Sequence, residues 1–295
     1  MVMQAIAFAG LGAMGWPMAT RLKEGGFQVL GMDAVESTET AFNDQVMSSE
    51  QKQRGLTRCE ALFIMVVNAD QVRSVLFGIN GIESLRQGAC VVQMSTIAPN
   101  HAAAISQEVA AIRPDLHFID APVSGGVVGA ETGELTIMAA GTQDALSKCR
   151  QAFEILSKVV FEAGERPGQG AAMKAVNQLL CGVHIAAAAE ALSLAEKSGI
   201  DASTMLSLLQ GSAASSWMLK DRGPRMIAEP NDITSVIDIF CKDMGIVCDS
   251  AKASKAFTPL AETARQLFIA SAERGEGKLD DSQLIRTYRM LNGTA

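Results

Sequence analysis

The 295-residue chain has few histidines and cysteines, and none of them stands in a spacing typical of a metal site. Its three histidines are His101, His117 and His184, and its six cysteines are Cys59, Cys90, Cys149, Cys181, Cys241 and Cys248. The histidines are scattered, no two cysteines form a CxxC pair, and several cysteines stand inside apolar runs. We therefore predict no metal site, structural histidines, and free core thiols in a reducing cytoplasm.

Long basic runs are also missing, and the formal net charge is −7. Nucleic-acid-binding proteins need concentrated positive charge, so this balance argues against a nucleic-acid partner. A locally basic pocket for a small anionic substrate remains compatible with it.

We expect neither a signal peptide nor a membrane-spanning segment. Its first residues lack a basic region followed by a long apolar stretch, and Gly10 and Gly12 interrupt the first apolar run. The most apolar helical run covers residues 175–189, about 15 residues, and includes Asn177, Gln178 and His184. That run is too short and too polar to cross a bilayer. We expect a buried helix, no membrane partner and a cytoplasmic protein.

A glycine motif follows the first predicted strand. Residues 5–9 are apolar, residues 18–25 are typical of a helix, and a second strand over residues 28–33 ends in Asp33, 18 residues after Gly15. The intervening GxGxxG loop consists of Gly10, Leu11, Gly12, Ala13, Met14 and Gly15. A strand, this motif, a helix and a later acid together indicate a dinucleotide-binding fold. A glycine turn in another α/β protein with a chance acid is the alternative.

Asp33 predicts which dinucleotide is bound. A carboxylate at this position accepts hydrogen bonds from the adenosine ribose hydroxyls and repels a 2′-phosphate. The next residues, Ala34, Val35, Glu36 and Ser37, offer no arginine. The sequence therefore favours NAD over NADP.

Small polar residues follow two further predicted strands, over residues 61–67 and 90–94. Ligands bind beyond the carboxyl ends of strands in such sheets, so Val67, Asn68 and Thr96 are candidate cofactor contacts. The alternative role for Asn68 and Ser95 is to cap the helices that follow, and one residue can do both.

A strand ending in Asp120 precedes a loop with Ser124, Gly125 and Gly126. Adjacent glycines expose backbone N–H groups, which together with a hydroxyl can bind a carboxylate. A plain loop before the strand at residue 135 is the alternative.

Strand and helix signals alternate up to residue 162 and then stop after a Gly/Pro cluster over residues 164–168. We predict a doubly wound, mostly parallel Rossmann sheet over residues 1–165 and an all-α domain over residues 166–295. The second domain begins with a long interdomain helix of roughly 28 residues.

Polar side chains interrupt the apolar start of that helix. Lys174, Asn177 and Gln178 stand at i, i+3 and i+4 and therefore share one face. Burying them is costly unless they line a cavity; a solvated helix end is the alternative. Lys242, beside Asp243, is a second lysine in an apolar run, and a surface charge pair is its alternative reading.

In combination these motifs resemble the β-hydroxyacid dehydrogenase family, which is related in fold to 6-phosphogluconate dehydrogenase. The four matching segments are residues 10–19 (GLGAMGWPMA), 120–126 (DAPVSGG), 168–177 (GQGAAMKAVN) and 242–244 (KDM). They stand in the family's order and cover nearly the whole length, so the resemblance is specific.

The resemblance implies roles for individual residues. Lys174 falls on the family's catalytic lysine, which exchanges a proton with the substrate hydroxyl, and Asn177 falls on its partner amide. Ser124, Gly125 and Gly126 fall on the loop that holds the substrate carboxylate. Lys242 falls on a lysine that reaches toward cofactor and substrate.

One departure indicates a branch of the family. Gln178 replaces a frequent second asparagine, and Ser235 stands where many relatives have phenylalanine, so the pocket is expected to be polar. Residues 66–72, 177–187, 216–218 and 235–243 resemble the L-threonate dehydrogenase branch. Its members oxidise the C2 hydroxyl of L-threonate to 2-dehydro-L-erythronate with NAD.

Three alternatives to that activity remain. Two are enzymatic: reduction of tartronate semialdehyde and oxidation of 3-hydroxyisobutyrate. The third is a catalytically silent dinucleotide-binding reader, against which the intact Lys174 and Asn177 argue. The long apolar helix favours a homodimer or homotetramer, because a bare apolar face associates.

Overall fold

The computed structural model describes residues 3–46, 55–79, 81–228 and 233–294. The chain forms two compact units, Met1–Lys174 and Ala175–Ala295, and each is described by itself.

The first unit is built on an eight-stranded sheet. Its strands are β1 (Ala5–Ala9), β2 (Gln28–Met32), β3 (Ala61–Ile64), β4 (Cys90–Gln93), β5 (His117–Asp120), β6 (Val123–Ser124), β7 (Leu135–Ala140) and β8 (Ser157–Gly164). The helices that cover it are α1 (Gly15–Glu24), α2 (Glu36–Val46), α3 (Ala69–Phe77), α4 (Pro99–Ile112), α5 (Gly126–Thr132) and α6 (Gln143–Leu156).

The strand order is β2-β1-β3-β4-β5-β7-β6, with β8 also paired to β7. Strands β2, β1, β3, β4 and β5 are parallel, whereas β7 is antiparallel to β5 and β6 and parallel to β8. The prediction of a doubly wound, mostly parallel sheet is confirmed. Its first five strands bring their carboxyl ends to one edge, where ligands bind in this architecture.

Both faces of the sheet are covered, which explains its continuous apolar strands. Successive side chains of a strand point to opposite faces. Accordingly Ile6 and Phe8 join one core cluster, while Ala7 and Ala9 join the other. Strand β3 is buried along its whole length between β1 and β4.

The structure corrects two local predictions in this unit. Strand β3 ends at Ile64 rather than at residue 67, because the backbone N–H of Val66 turns to the Ser95 hydroxyl at 2.9 Å. The segment before β7, which the sequence predicts as a loop, contains β6 and α5. Local propensity alone did not indicate a helix in a segment with glycines at 125, 126 and 129.

The second unit is helical in its described residues, as predicted. Helix α7 (Gln169–Lys197) begins in the first unit and continues into the second, followed by α8 (Ala202–Gly211), α9 (Trp217–Ile227), α10 (Ile237–Ser254), α11 (Pro259–Ser271) and α12 (Ile285–Asn292). Asp201 caps α8 by accepting a hydrogen bond from the Thr204 N–H at 2.8 Å.

A proline usually interrupts a helix, but Pro224 lies inside α9. A proline lacks the N–H that would bond the carbonyl four residues earlier, here that of Lys220. The Gln210 side chain donates to that carbonyl at 3.4 Å. This tertiary hydrogen bond replaces the missing helical one, which a local reading of the sequence cannot show.

Helix α7 is longer than the 15-residue apolar run considered in the sequence. It has 29 residues, and one 18-residue window has a mean hydropathy of 1.4. By length and composition alone it could cross a membrane. Half of that window is buried inside the protein, as in a core helix.

The cysteines are free thiols, as predicted; Cys59, Cys90 and Cys149 are buried and Cys181, Cys241 and Cys248 are half-buried.

Candidate active site

The glycine loop after β1 has the shape that a pyrophosphate needs. Gly10 has φ +91°, and a Cβ there would lie 2.2 Å from the Met65 carbonyl oxygen. A Cβ at Gly15 would lie 1.7 Å from the Gly10 carbonyl oxygen, so α1 packs directly on the turn. A Cβ at Gly12 would meet no atom within 4 Å. The surface at Gly12 is therefore open to a ligand, at the N–H-rich start of α1.

Asp33 holds this loop in place. Its Oδ2 accepts a hydrogen bond from the Leu11 N–H at 2.7 Å, and its Oδ1 accepts one from the Val35 N–H at 2.9 Å. A carboxylate oxygen has two lone pairs, so each oxygen can accept a further bond from a ribose hydroxyl. The residues of this edge thus fit a dinucleotide without a 2′-phosphate.

The structure separates the two capping alternatives. Asn68 caps α3, since its Oδ1 accepts from the Gln71 N–H at 2.9 Å. Ser95 does not cap α4, whose N-cap residue is Ala98 with no side-chain cap bond. Ser95 is instead fully buried and bonds the loop after β3. Val67, which is exposed, and Thr96, which is half-buried, follow β3 and β4 at the carboxyl edge.

The turn from β6 into α5, which holds the two glycines of the predicted loop, has a backbone that only glycine adopts easily. Gly125 and Gly126 have φ values of +133° and +64°. Ser124 ends β6, and a Cβ at Gly126 would meet no atom within 4 Å. The loop therefore leaves backbone N–H groups accessible beside a hydroxyl, which suits a carboxylate.

Helix α7 carries the polar strip that the sequence singled out. Lys174 is 6% exposed and Gln178 is 7% exposed, so neither belongs to a solvated helix end. Asn177 is half-buried, and its Nδ2 donates to the Gln178 Oε1 at 2.8 Å and to the Cys181 Sγ at 3.4 Å. The helix confirms the shared face of the three residues.

In the second unit, Gln178 is held by an acid that the sequence passed over. Its Nε2 donates to the Asp243 Oδ2 at 2.6 Å. Lys242 pairs with the Asp243 Oδ1 at 2.8 Å. The surface-pair alternative is wrong for Asp243, which is 3% exposed. The signal for Asp243 in the sequence was a Lys-Asp pair inside an otherwise apolar helix.

Asp120 is the second acid without a predicted role. It ends β5, is fully buried, and accepts at Oδ2 from the N–H groups of Gly168 and Ala171, each at 2.8 Å. Burial raises the pKa of Asp120 to about 6, and these N–H donors oppose the rise. Both carboxyl oxygens of Asp120 accept hydrogen bonds, Oδ1 from the Gln93 Nε2, which is the bonding pattern of the ionised form. The signal for Asp120 in the sequence was an acidic residue at the end of an apolar strand.

Among the described residues, no group of three or more histidine, cysteine, aspartate or glutamate side chains could hold a metal ion.

Comparison with known proteins identifies the fold's family. Residues 5–164 match the NAD binding domain of 6-phosphogluconate dehydrogenase, and residues 168–288 match the NAD-binding region of NADP-dependent 3-hydroxyisobutyrate dehydrogenase. The chain belongs to the β-hydroxyacid dehydrogenase family. It is an NAD-dependent hydroxyacid dehydrogenase, and the predicted Rossmann and helical domains are those of this family.

Relatives within the β-hydroxyacid dehydrogenases match over nearly their whole lengths. The L-threonate dehydrogenase of Cupriavidus necator is 37% identical over 96% of this chain and 95% of its own. The Escherichia coli K12 2-hydroxy-3-oxopropionate reductase is 33% identical over 97% of both chains. A Salmonella typhimurium crystal structure titled 3-hydroxyisobutyrate dehydrogenase has 35% identity and a TM-score of 0.87 over 96% of this chain and 99% of its own.

Proposed function

We propose that this enzyme oxidises L-threonate to 2-dehydro-L-erythronate, with Lys174 as the general base. The observation that carries the proposal is that Lys174, three residues before Asn177 on the same helix, is buried and that the next side chain, Gln178, is bonded to Asp243. A substrate with several hydroxyls needs such oriented polar groups. The L-threonate dehydrogenases at 37% identity in Cupriavidus necator and Escherichia coli K12 support the same substrate.

Each predicted residue has a role in this proposal. Ser124 and the N–H groups of Gly125 and Gly126 bind the substrate carboxylate. Asn177 orients the reacting hydroxyl, and Lys174 removes its proton. In the reverse direction Lys174 returns that proton to the alkoxide oxygen.

Two further assignments complete the substrate side. We assign Gln178 to a second substrate hydroxyl. Asp243 accepts a hydrogen bond from its Nε2 and thereby sets the direction of the amide. Lys242 contributes positive charge toward the cofactor, with its ammonium oriented by Asp243.

The cofactor assignments rest on how the residues of the first unit suit a dinucleotide. Gly10, Leu11, Gly12, Ala13, Met14 and Gly15 hold the pyrophosphate, Asp33 the adenosine ribose, and Val67, Asn68 and Thr96 line the nicotinamide half. When bound, NAD accepts the hydride that leaves the substrate's C2. We assign residues 1–165 to cofactor binding and residues 166–295 to the helical domain.

Reduction of tartronate semialdehyde is the second candidate. The 2-hydroxy-3-oxopropionate reductase at 33% identity favours it. It uses the same proton transfer in the opposite direction with a smaller substrate.

A substrate panel separates these candidates. Initial rates are measured for oxidation of L-threonate, 3-hydroxyisobutyrate and other C3 to C5 hydroxy acids with NAD, and for reduction of tartronate semialdehyde with NADH. We expect the highest kcat/KM for L-threonate. A higher kcat/KM for tartronate semialdehyde selects the second candidate, and no turnover of any substrate supports a dinucleotide-binding reader.

Asp33 is expected to set the preference for NAD. Asp33→Asn removes the charge that repels a 2′-phosphate but keeps one oxygen for the Leu11 or Val35 N–H. We expect the ratio of kcat/KM with NAD to that with NADP to fall about 10-fold or more, roughly 1.4 kcal/mol. Glu36→Gln, an exposed acid at the start of α2, is the charge control. A wild-type enzyme that used NADP but not NAD would contradict the assignment.

We also propose that the enzyme is a homodimer or homotetramer in the cytoplasm. Along α7, Val176, Leu180 and Leu194 are 67%, 50% and 62% exposed, and an apolar face of this kind favours self-association. The free cysteines fit a reducing compartment. Sedimentation equilibrium of the purified protein tests the oligomer, and a monomer at micromolar concentration would refute it.

A further inference from the structure

The first turn of α7 is capped by a residue far away in the sequence. A helix usually begins after a residue whose side-chain oxygen accepts from the first N–H groups. Gly168, which precedes α7, has no side chain to offer. Asp120 at the end of β5 supplies the oxygen instead, accepting from the Gly168 and Ala171 N–H groups at 2.8 Å each.

The same turn lies unusually close to the sheet. A Cβ at Gly170 would stand 2.4 Å from the Asp120 carbonyl oxygen and 2.5 Å from that of Met138. The backbone of α7 therefore rests directly on the end of β5 and on β7. A change at Asp120 cannot be absorbed by an intervening side chain.

The other oxygen of Asp120 ends a chain of buried hydrogen bonds. The Val66 N–H donates to the Ser95 hydroxyl at 2.9 Å, and the Ser95 N–H donates to the Gln93 Oε1. The Gln93 Nε2 in turn donates to the Asp120 Oδ1 at 3.5 Å. Gln93, Ser95 and Asp120 are all 0% exposed. The chain links the loop after β3, where cofactor contacts are proposed, to the start of α7.

The direction of these bonds dictates the residue type at position 120. Donors approach Asp120 from both sides, Gln93 at one oxygen and the helix N–H groups at the other. Only an ionised carboxylate has two acceptor oxygens. An amide of the same shape would turn a donor toward one of these partners and leave a buried donor unpaired, which costs free energy.

Lys174 lies three residues after Ala171, less than one helical turn along α7. We infer that Asp120 is a positioning residue: by bonding the start of α7 it sets the place of the Lys174 amine. This inference rests on the proposed role of Lys174. Proton transfer at Lys174 is more sensitive to a small displacement of α7 than hydrogen bonds to substrate or cofactor are, so disturbing Asp120 should lower the rate of the chemical step more than it weakens binding.

The test exploits the direction of the hydrogen bonds. Asp120→Asn should lower kcat about 10- to 100-fold, because a displacement near 1 Å costs on this scale. The KM of the hydroxy acid that the wild type oxidises fastest and the Kd of NAD should both stay within about threefold. Gln93→Glu alone brings two carboxylates together and should also lower kcat.

The double variant Q93E/D120N should restore kcat to within about threefold of the wild type. The carboxylate introduced at position 93 accepts from the Ser95 N–H and from the new amide. That amide's oxygen then faces the Gly168 and Ala171 N–H groups. All bonds are rebuilt with the same net charge and nearly the same volume.

Asp201→Asn is the matched control, because it changes an acid that caps α8, a helix without a proposed site residue. Its kcat should equal that of the wild type. Hydrogen exchange of the peptide covering residues 168–174 gives a readout without substrate. Exchange should be faster in Asp120→Asn than in the wild type and return to the wild-type rate in the double variant.

Three results would overturn the inference. They are a wild-type kcat in Asp120→Asn, a fall in its kcat with an equally large rise in KM, and a double variant whose kcat is no higher than that of the single variants. If Asp120→Asn folds poorly, the kcat values of Gln93→Glu and of the double variant decide whether the inference holds. The proposed function fails separately, if Lys174→Met retains turnover, and the exchange result is independent of that outcome.

Discussion

Lys174→Met is expected to lower kcat about 10²- to 10⁴-fold, the usual contribution of a general acid–base group. Methionine keeps the length and apolar stem of the buried side chain but can neither accept nor return the hydroxyl proton. Binding of NAD does not depend on this proton transfer, so the Kd of NAD should stay within about threefold. Stopped-flow measurement of NADH formation and fluorescence titration of the cofactor give the two quantities.

Lys197→Met is the matched control for this variant. Lys197 lies in the last turn of the same helix, is exposed, and donates to the Asn292 carbonyl at 2.6 Å. Its replacement should leave kcat unchanged. A Lys174→Met enzyme with wild-type turnover would refute the proposed mechanism, because another group would then have to act as the general base.

Gly12→Ala is expected to raise the Kd of NAD at least about 10-fold, or 1.4 kcal/mol, without harming the fold. The added methyl meets no protein atom within 4 Å, and Gly12 does not have a positive φ. The methyl instead stands where the pyrophosphate approaches the backbone. Isothermal titration with NAD and thermal unfolding of the apoprotein measure the two effects.

Gly15→Ala, in the same motif, is expected to lower the stability of the fold, which Gly12→Ala leaves intact. Its methyl would stand 1.7 Å from the Gly10 carbonyl oxygen, so the helix must move away from the turn. We expect a loss of about 1–3 kcal/mol in unfolding free energy, seen as a lower unfolding midpoint without ligand. Equal stability losses in both variants, or unchanged NAD binding in Gly12→Ala, would contradict the assignment of the loop.

Much of the fold was predictable because it depends on local patterns. The apolar strands and the GxGxxG turn indicate a doubly wound sheet, and the absence of proline over residues 171–198 indicates the long helix that became α7. The misplaced elements have tertiary causes. The end of β3 depends on the Ser95 hydroxyl, and Pro224 stays helical with the help of Gln210.

The residues of the candidate site also fall into two groups, those that a local pattern indicates and those that only folding brings together. Lys174, Asn177 and Gln178 could be named from helical spacing, because the period of a helix is a property of the local chain. Asp243, 65 residues after Gln178, could not be named as its partner. Nor could Asp120, whose donors at Gly168 and Ala171 lie 48 and 51 residues further along the chain.

The sequence by itself determined the family, the NAD-binding loop and the strip of polar residues on α7, since each rests on residues close together in the chain. Only the tertiary structure decided which acids support that strip: Asp243 beside Gln178, and Asp120 beneath the first turn of α7. The physical reason is that burying a carboxylate is costly unless donors surround it. Those donors come from strands and helices that meet only after the chain has folded.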